Sequence, residues 1–253
     1  MTPLPFAGST LRGHRHVCAL FRTPEEEYRI VFPFVLAGIE SGDRVVCIIP
    51  DDRRDYLDRL RGAGVDVDEA QRRYQLEVFG TAEMYNPDGH VDTERSLSRL
   101  VDTLMEGRSL GFPVTRLIGH PESALQSWQD TDRFLEYEAR LNYALPGYDD
   151  PVICTYDLDR ITAGVAFNVL RTHPTAVIGG LLQENPFFVP PDVFLEELRA
   201  RDEGAARRSG DAATPSSQAP RRAAAARRPD RVSPPAPPAP DLYRAAPFVP
   251  RHS

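Results

Sequence analysis

Short apolar runs alternate with longer amphipathic segments along most of this chain, and no other feature constrains its fold as strongly. The longer segments repeat their apolar residues at helical spacing, so each run and the segment after it form a βα unit. We therefore predict an α/β fold with a mainly parallel central sheet flanked by helices. The runs of strand length lie at 16–21, 44–50, 75–79, 114–119, 151–156 and 175–178.

The first helix has a clear start signal. Thr23, Pro24 and Glu26 supply an N-cap hydroxyl, a proline at the first helical position and an acid at the third. This pattern predicts a helix that runs toward Glu40, and Pro33 is expected to kink or divide it.

A later segment, 130–145, is strongly helical and places its apolar residues on one face. Two acidic residues of this helix are Glu136, which has arginines three and four positions away, and Glu138, which follows two positions later. We expect both carboxylates to be solvated or paired with Arg133 and Arg140.

The last 55 residues differ from the rest in composition. Residues 199–253 hold 10 of the 24 prolines and 11 arginines against five acids. Such a segment cannot bury enough apolar area to offset its ordering entropy. We predict one folded domain over 13–198 and a disordered Arg/Pro/Ala-rich tail over 199–253. The folded part is acidic, which argues against nucleic acid as a partner.

The chain contains no lysine, because all 30 basic residues counted as Lys or Arg are arginines. A Walker A phosphate loop and Schiff-base catalysis both need a lysine, so both are excluded. Three cysteines without a CxxC motif indicate a reducing compartment. No apolar run resembles a signal peptide or a membrane span, so we expect a cytoplasmic protein that does not bind membranes.

Two pairs of chemically active side chains lie in predicted strands. His16 and Cys18 share one face of the first strand, and Cys154 and Tyr156 share one face of the fifth, because side chains alternate along a strand. If these strands are neighbours, the four side chains converge near one end of the sheet. The simpler alternative is that the cysteines are small buried hydrophobic residues.

Three more candidates lie at element ends. Asp157 follows a strand at the edge where open α/β sheets bind ligands, so it either orients a ligand or caps the next helix. His120 ends the fourth strand and faces the same edge. His173 leaves a helix just before Pro174, where a positive group is favourable for structural reasons alone, but it is also a candidate site residue.

The same residue types are found in metal sites and in thiol enzymes. Although His16, Cys18, Cys154 and His173 are acceptable zinc or iron ligands, their spacing matches no compact metal motif. The prediction is therefore no metal and no cofactor. Cys154 or Cys18 with a histidine base has the residue types of a thiol nucleophile but no local signature of one.

In order along the chain, eight segments resemble the MEDS domain, the sensory module named for methanogens, methylotrophs and DcmR-type regulators. The resemblance extends over about residues 13–191. The segments are GHRHVCALF (13–21), PEEEY with PFVLAGIESGDR (24–44), GVDVD (64–68), LEVF…Y (76–85), YEARLN (137–142), ICTYD (153–157), LRTHP (170–174) and NPFFVPP (185–191).

This resemblance implies a cytoplasmic α/β sensor of small hydrocarbon-derived molecules, related to RecA-type ATPase folds but lacking their phosphate loop. It also implies partners such as a kinase-type ATPase, an anti-sigma antagonist or a transcription regulator. The positions that match the family's motifs, and so are implied to contact the ligand, are His16, Cys18, Cys154, Tyr156, Asp157 and His173, to which we add His120.

The sequence thus predicts a non-catalytic signal-transduction sensor that binds a small apolar or weakly polar ligand and relays to a partner protein. Two alternatives stay open. One is an enzyme acting on a small molecule through Cys154 or His16. The other is a protein-interaction module with a vestigial pocket.

Overall fold

The computed structural model describes residues 3–13, 15–50, 53–85, 90–121 and 128–211. The strands are Leu4–Phe6 (β1), Ser9–Leu11 (β2), His16–Phe21 (β3), Arg44–Ile49 (β4), Leu76–Gly80 (β5), Thr115–Gly119 (β6), Val152–Asp157 (β7), Thr175–Ile178 (β8) and Leu181–Glu184 (β9). The helices are Pro24–Glu40 (α1), Arg53–Gly62 (α2), Val67–Arg72 (α3), Thr81–Tyr85 (α4), Thr93–Ser109 (α5), Trp128–Ala144 (α6), Ala163–Thr172 (α7) and Pro191–Asp211 (α8).

Seven strands form one sheet in the order β5-β4-β6-β7-β3-β8-β9. All neighbouring pairs are parallel except β8 and β9, so the predicted mainly parallel α/β fold is confirmed. The prediction that the first and fifth strand runs are neighbours also holds, because β3 pairs with β7. Their register places Cys18 opposite Cys154.

Helices cover both faces of the sheet. Apolar residues of α1, α2 and α3 pack on one face, and those of α5, α6, α7 and α8 pack on the other. All six residues of β4 are buried, as the near-continuous apolar run 44–50 predicts. After β3 and β4 the chain continues into the helices on the first face, whereas after β6 and β7 it continues into the helices on the second face. This divergence opens a crevice at the carboxyl edge of the sheet, where α/β proteins bind ligands.

Helix α1 begins almost directly after β3. The Thr23 hydroxyl accepts a hydrogen bond from the Glu26 amide at 3.2 Å, and the Glu26 carboxylate accepts one from the Arg22 amide at 3.0 Å, as in a capping box. The helix continues through Pro33 without interruption, so the expected division does not occur. Only Arg22 and Thr23 separate β3 from α1, which leaves no room for a phosphate loop of about eight residues.

Several boundaries differ from the sequence predictions. The hairpin of β1 and β2 was not predicted, and 175–178 is not the last strand because β9 follows it. The turn-forming residues of 80–90 predict a loop, but helix α4 occupies the start of this segment, and 86–89 lie outside the described residues. Helix α8 continues past the predicted domain end at 198 to Asp211, and the remainder of the predicted tail, 212–253, lies outside the described residues.

Within the described part of the chain, every helix is too short or too polar to cross a membrane.

Gly107 marks the closest approach of α5 to the sheet. A Cβ atom at this position would overlap the Thr115 hydroxyl of β6. We expect Gly107→Ala to lower the free energy of unfolding by about 1–3 kcal/mol, because overpacking forces the backbone or its neighbours to move. Urea unfolding measures the change, with Gly62→Ala as control, since a Cβ there meets no atom within 4 Å. Equal stability of the two variants would contradict this packing.

Candidate functional site

A cluster of four polar side chains is buried between the sheet and α6. We call His16, Glu138, Cys154 and His173 the buried cluster. One potential ligand atom from each residue lies within 4.8 Å of the other three, and no side chain of the four is more than 2 % exposed. Burial of four such groups together requires that they satisfy one another, because unpaired polar groups in the core are costly.

Four separate elements supply the buried cluster. His16 is the first residue of β3, and Cys154 lies in the neighbouring strand β7. Glu138 projects from α6, which packs over this face of the sheet. His173 is the C-cap residue of α7 and leads into β8. Residues far apart in the sequence therefore meet only because the sheet order brings β7, β3 and β8 side by side.

Glu138 is the centre of the buried cluster. One of its oxygens, Oε2, lies 3.0 Å from His16 Nε2, 3.2 Å from His173 Nε2 and 3.6 Å from Cys154 Sγ. Its other oxygen, Oε1, accepts a hydrogen bond from the Tyr156 hydroxyl at 2.9 Å. Every polar contact of this carboxylate is thus made with a side chain named as a site candidate.

The prediction that Glu138 is solvated or paired with arginine is wrong. The expected ion pair forms instead at Glu136, whose carboxylate lies 3.2 Å from Arg140. A signal for the burial exists in the sequence. Phe134, Glu138 and Leu141 follow one another at helical spacing, so Glu138 lies within the apolar stripe of α6.

Both histidines present the same ring nitrogen to Glu138. Nδ1 of His173 is 2.6 Å from the carbonyl oxygen of Val169, which can only accept a hydrogen bond. Nδ1 of His16 is 3.2 Å from the Asn142 side-chain oxygen, and the Asn142 amide donates to the Thr172 carbonyl at 2.7 Å. Each Nδ1 therefore carries the hydrogen, and each Nε2 faces the carboxylate with its lone pair unless it is also protonated.

Burial and proximity shift the pKa values of these groups. Burial, reinforced by the neighbouring His173, lowers the pKa of His16. Burial alone would raise the pKa of Glu138, but the two imidazoles outweigh it, and the pKa lies well below its ordinary value. Burial and then the Glu138 charge raise the pKa of the Cys154 thiol and of the Tyr156 phenol. The cluster thus holds one carboxylate charge in a dry environment.

The other two cysteines are also buried. Cys18 lies beside Cys154 in the adjacent strand and packs in the same core, but it is outside the four-residue group. Cys47 packs on the opposite face of the sheet, 3.2 Å from the Tyr56 hydroxyl, and burial raises its pKa to about 12. Cys47 fits the simpler reading of a small buried hydrophobic residue.

A separate cavity of about 300 Å³ lies at the carboxyl edge of the sheet; we call it the carboxyl-edge cavity. It is bounded by α1, α2 and the ends of β3, β4, β6 and β7, at the crevice described above. Its apolar lining comprises Phe21, Val31, Phe32, Ile49, Tyr56 and Ile118.

His120 and Glu27 form the polar part of this cavity. Nε2 of His120 contacts the Glu27 carboxylate, and its Nδ1 lies 2.8 Å from the Ile48 carbonyl oxygen. Both side chains are mostly buried. The pair presents one charge-assisted hydrogen bond at the wall of an otherwise apolar cavity.

Asp157 lies at the rim of the same cavity. Its carboxylate accepts a hydrogen bond from the Asp159 amide at 2.9 Å and lies 3.6 Å from Arg160 Nε. The alternative that Asp157 caps the following helix is wrong, because α7 begins later and Thr162 caps it.

The chain matches the family model described as MEDS, the MEthanogen/methylotroph, DcmR Sensory domain, over residues 15–174. This match spans more than half of the chain. The protein belongs to the MEDS family. The resemblance identified from the eight sequence segments is thereby confirmed.

Among curated relatives, the transcriptional repressor DcmR of Methylorubrum extorquens is 26% identical to this MEDS protein over 173 residues. The match covers 66% of this chain and 61% of DcmR, so the chain spans about three fifths of that relative's length. The family and this relative together support a sensory or regulatory role.

Three solved structures are similar in fold to the MEDS protein. An uncharacterized protein of Pyrococcus horikoshii, PH0321, solved with an unknown peptide, has a TM-score of 0.53 at 15% identity over 69% of this chain and 83% of that one. The KaiC-like protein PH0186 of the same organism has a TM-score of 0.47 at 15% identity, over 68% of this chain and 73% of that one. The flagellar accessory protein FlaH of Methanocaldococcus jannaschii has a TM-score of 0.45 at 10% identity, over 67% of this chain and 76% of that one. Of the three, PH0321 has a TM-score above 0.5, and at 15% identity it shows the fold alone.

The structure divides the predicted site residues of the MEDS domain into two groups. The first packs beneath α6 on one face of the sheet, where the four side chains expected to converge from the two neighbouring strands lie together, and the second lies at the carboxyl edge. Sequence reasoning missed Glu138, Asn142 and Glu27. The first group is His16, Cys18, Cys154, Tyr156 and His173, and the second is His120 and Asp157.

Proposed function

We propose that this MEDS protein is a non-catalytic sensor that binds a small, weakly polar, hydrocarbon-derived molecule in the carboxyl-edge cavity. The observation that carries this proposal is the cavity itself, with about 300 Å³ of space and a mostly apolar lining. Ligand sites combine such linings with a small number of polar groups that fix orientation. Here the pair of His120 and Glu27 supplies that polar anchor.

The charges around the cavity favour a neutral ligand. Glu27, Asp55 and Asp157 line it, while Arg59 and Arg160 lie at the same opening. The acidic first turn of α1, which contains Glu25, Glu26 and Glu27, offsets the attraction of a helix N-terminus for phosphate. A short alcohol, aldehyde or halocarbon meets these conditions, because it fits the apolar lining and needs one hydrogen bond at most.

The burial of Cys154 argues against the enzyme alternative. Its thiol is 2 % exposed and lies beneath α6, away from the carboxyl-edge cavity. A nucleophile must reach its substrate, and Cys154 does not line the carboxyl-edge cavity. If turnover of a small carbonyl or halide were found, and Cys154→Ala abolished it without loss of folding, the enzyme alternative would replace our proposal.

The walls of the cavity suggest how binding reaches a partner. α1 and α2 bound it together with the segments that follow β3, β4 and β7. A ligand with different affinities for two arrangements of these segments shifts their populations. We propose that this shift alters a surface recognised by a separate signalling protein, either a transcription regulator, a kinase-type ATPase or an anti-sigma antagonist.

A ligand screen with two matched variants tests the cavity. Short alcohols, aldehydes and halocarbons are screened by thermal shift and calorimetry, and at least one is expected to raise Tm. Its affinity for Glu27→Gln is expected to fall on the order of tenfold, because hydrogen bonds to charged groups contribute about 1.5–3 kcal/mol. Glu25→Gln lies in the same helical turn and is expected to bind like the wild type. A screen in which no compound stabilises the protein would refute the proposal.

A further inference from the structure

We propose that the buried cluster is a binding site for one divalent transition-metal ion of the zinc class. The four ligand atoms are His16 Nε2, His173 Nε2, Cys154 Sγ and Glu138 Oε2. This site is distinct from the carboxyl-edge cavity and does not depend on the function proposed for it. It also replaces the sequence-based expectation that no metal binds.

The donor set matches the chemistry of such an ion. Two imidazole nitrogens, one cysteine sulfur and one carboxylate oxygen are each established ligands of Zn²⁺. Mixed nitrogen and sulfur ligands in a four-coordinate arrangement exclude Mg²⁺ and Ca²⁺, which prefer six or more oxygens. The absence of a CxxC or HxxxH spacing is no objection, since the four ligands come from β3, α6, β7 and the α7–β8 junction.

The distances between the ligand atoms also fit. Bonds of about 2.0–2.3 Å in a tetrahedron place nitrogen and oxygen ligands about 3.3 Å apart, and place sulfur about 3.6 Å from either. The two nitrogens lie 3.0 and 3.2 Å from Glu138 Oε2, and Cys154 Sγ lies 3.7 Å from His16 Nε2 and 3.6 Å from Glu138 Oε2. The other two distances, from His173 Nε2 to His16 Nε2 and to Cys154 Sγ, are at most 4.8 Å, so an ion at the centre requires these atoms to move together by no more than about 1.5 Å.

The positions of the ring hydrogens of His16 and His173 give an independent reason to expect a metal ion. Because Val169 and Asn142 fix the hydrogens on the Nδ1 atoms, the Nε2 atom of each histidine meets the carboxylate with a lone pair unless that ring carries a second proton. His173 Nε2 is fully buried and makes no aligned hydrogen bond, despite its 3.2 Å distance from Glu138. A single divalent cation satisfies all four donors at once.

The surrounding groups resemble the outer shell of metal sites. Histidine ligands of metals donate their second ring N–H to an oxygen, and ligating carboxylates are themselves hydrogen-bonded. Here the Val169 carbonyl and the Asn142 amide oxygen accept from the two rings, and the Tyr156 hydroxyl donates to the second oxygen of Glu138. These partners hold His16, His173 and Glu138 in place before any ion arrives.

A second cavity provides an approach to the cluster. It has a volume of about 260 Å³ and is lined by His16 and Asn142, together with Arg15, Tyr148 and Asp150. It opens at the amino end of β3, opposite the carboxyl-edge cavity. An ion entering there meets His16 first. Binding breaks the S–H bond of Cys154, and the released proton passes to solvent while the thiolate binds the metal.

Cobalt substitution tests the site directly. Full-chain protein is freed of metal by dialysis against a chelator and titrated with Co²⁺ alone. We expect one ion per chain, visible d–d bands of a four-coordinate site, and a sulfur-to-cobalt charge-transfer band. One equivalent of Zn²⁺ is expected to displace the Co²⁺ and abolish these bands, and metal analysis of protein purified without chelator is expected to find one ion.

Variants identify the ligands. Cys154→Ser is expected to lose the charge-transfer band, and His173→Gln is expected to weaken Co²⁺ binding at least tenfold. His120→Gln is the matched control, since His120 also contacts a glutamate but lies in the other cavity, and it is expected to bind like the wild type.

Each possible result of these experiments either supports or overturns the metal site. Folded, metal-free wild-type protein that takes up neither Co²⁺ nor Zn²⁺ at micromolar concentrations shows a His–Glu–His hydrogen-bond network and overturns the proposal. A spectrum without a sulfur band, or one lost equally in His120→Gln, shows adventitious binding and overturns it as well. If the cluster variants fail to fold, the wild-type titration and its charge-transfer band decide alone.

Discussion

Replacing Glu138 with leucine is expected to lower the free energy of unfolding by about 3–5 kcal/mol, a large part of the stability of a domain. The carboxylate is fully buried and is the shared partner of His16, His173 and Tyr156. Its removal leaves the Tyr156 hydroxyl without its acceptor and places the two Nε2 atoms in the core against an apolar side chain. The free-energy cost of burying such groups without hydrogen-bond partners exceeds the gain from burying an apolar side chain.

A neighbouring residue provides the control for this experiment. Glu136 lies two positions earlier on α6, is 41 % exposed in its side chain and pairs with Arg140. Glu136→Leu is therefore expected to change the unfolding free energy by less than about 1 kcal/mol, as for other surface ion pairs. Urea unfolding followed by circular dichroism measures both variants in the same buffer. Similar losses in the two would place Glu138 at the surface and contradict the structure.

The central strands could be predicted from sequence to within one residue. His16–Phe21 and Arg44–Ile49 are continuous apolar runs, because strands buried on both faces need them. The start of α1 was equally clear, since Thr23 and Glu26 form hydrogen bonds between residues close in the sequence. Elements that are determined by residues close in the sequence could therefore be predicted from it.

Elements that depend on distant partners were missed. In β9 only Leu182 is buried, and the strand exists because it pairs with β8. The end of the folded domain was placed too early because the proline-rich composition of the tail was averaged over residues 199–211, which continue α8. Composition averaged over a window cannot locate the end of a helix that tertiary packing holds.

The candidate site shows the same difference between features set by local sequence and features set by distant partners. Strand alternation correctly paired His16 with Cys18 and Cys154 with Tyr156, because a period of two is a local property. Whether His173 joins them depends on the order of strands, which no local spacing encodes. Glu138 has no arginine three or four positions away, and the helical phase of the apolar stripe determined its position.

Removing α8 is expected to abolish cooperative folding. Phe194, Leu195 and Leu198 are buried in the core that contains α6, and each contributes about 1.5–3 kcal/mol by burial. Their sum is comparable to the total stability of a domain of this size. Near-ultraviolet circular dichroism and urea unfolding of a chain that ends at residue 190 measure the effect.

A chain that ends at Asp211 is the matched control and keeps α8 complete. It is expected to unfold at the same urea concentration as the full chain, because the proline-rich composition of 212–253 predicts no contribution to a core. The shorter chain is also expected to lose Co²⁺ binding, since α8 packs on α6 and α6 carries Glu138. Retention of both cooperative unfolding and Co²⁺ binding by the chain ending at 190 would show that the buried cluster forms independently of α8, and that α6 needs no support from it.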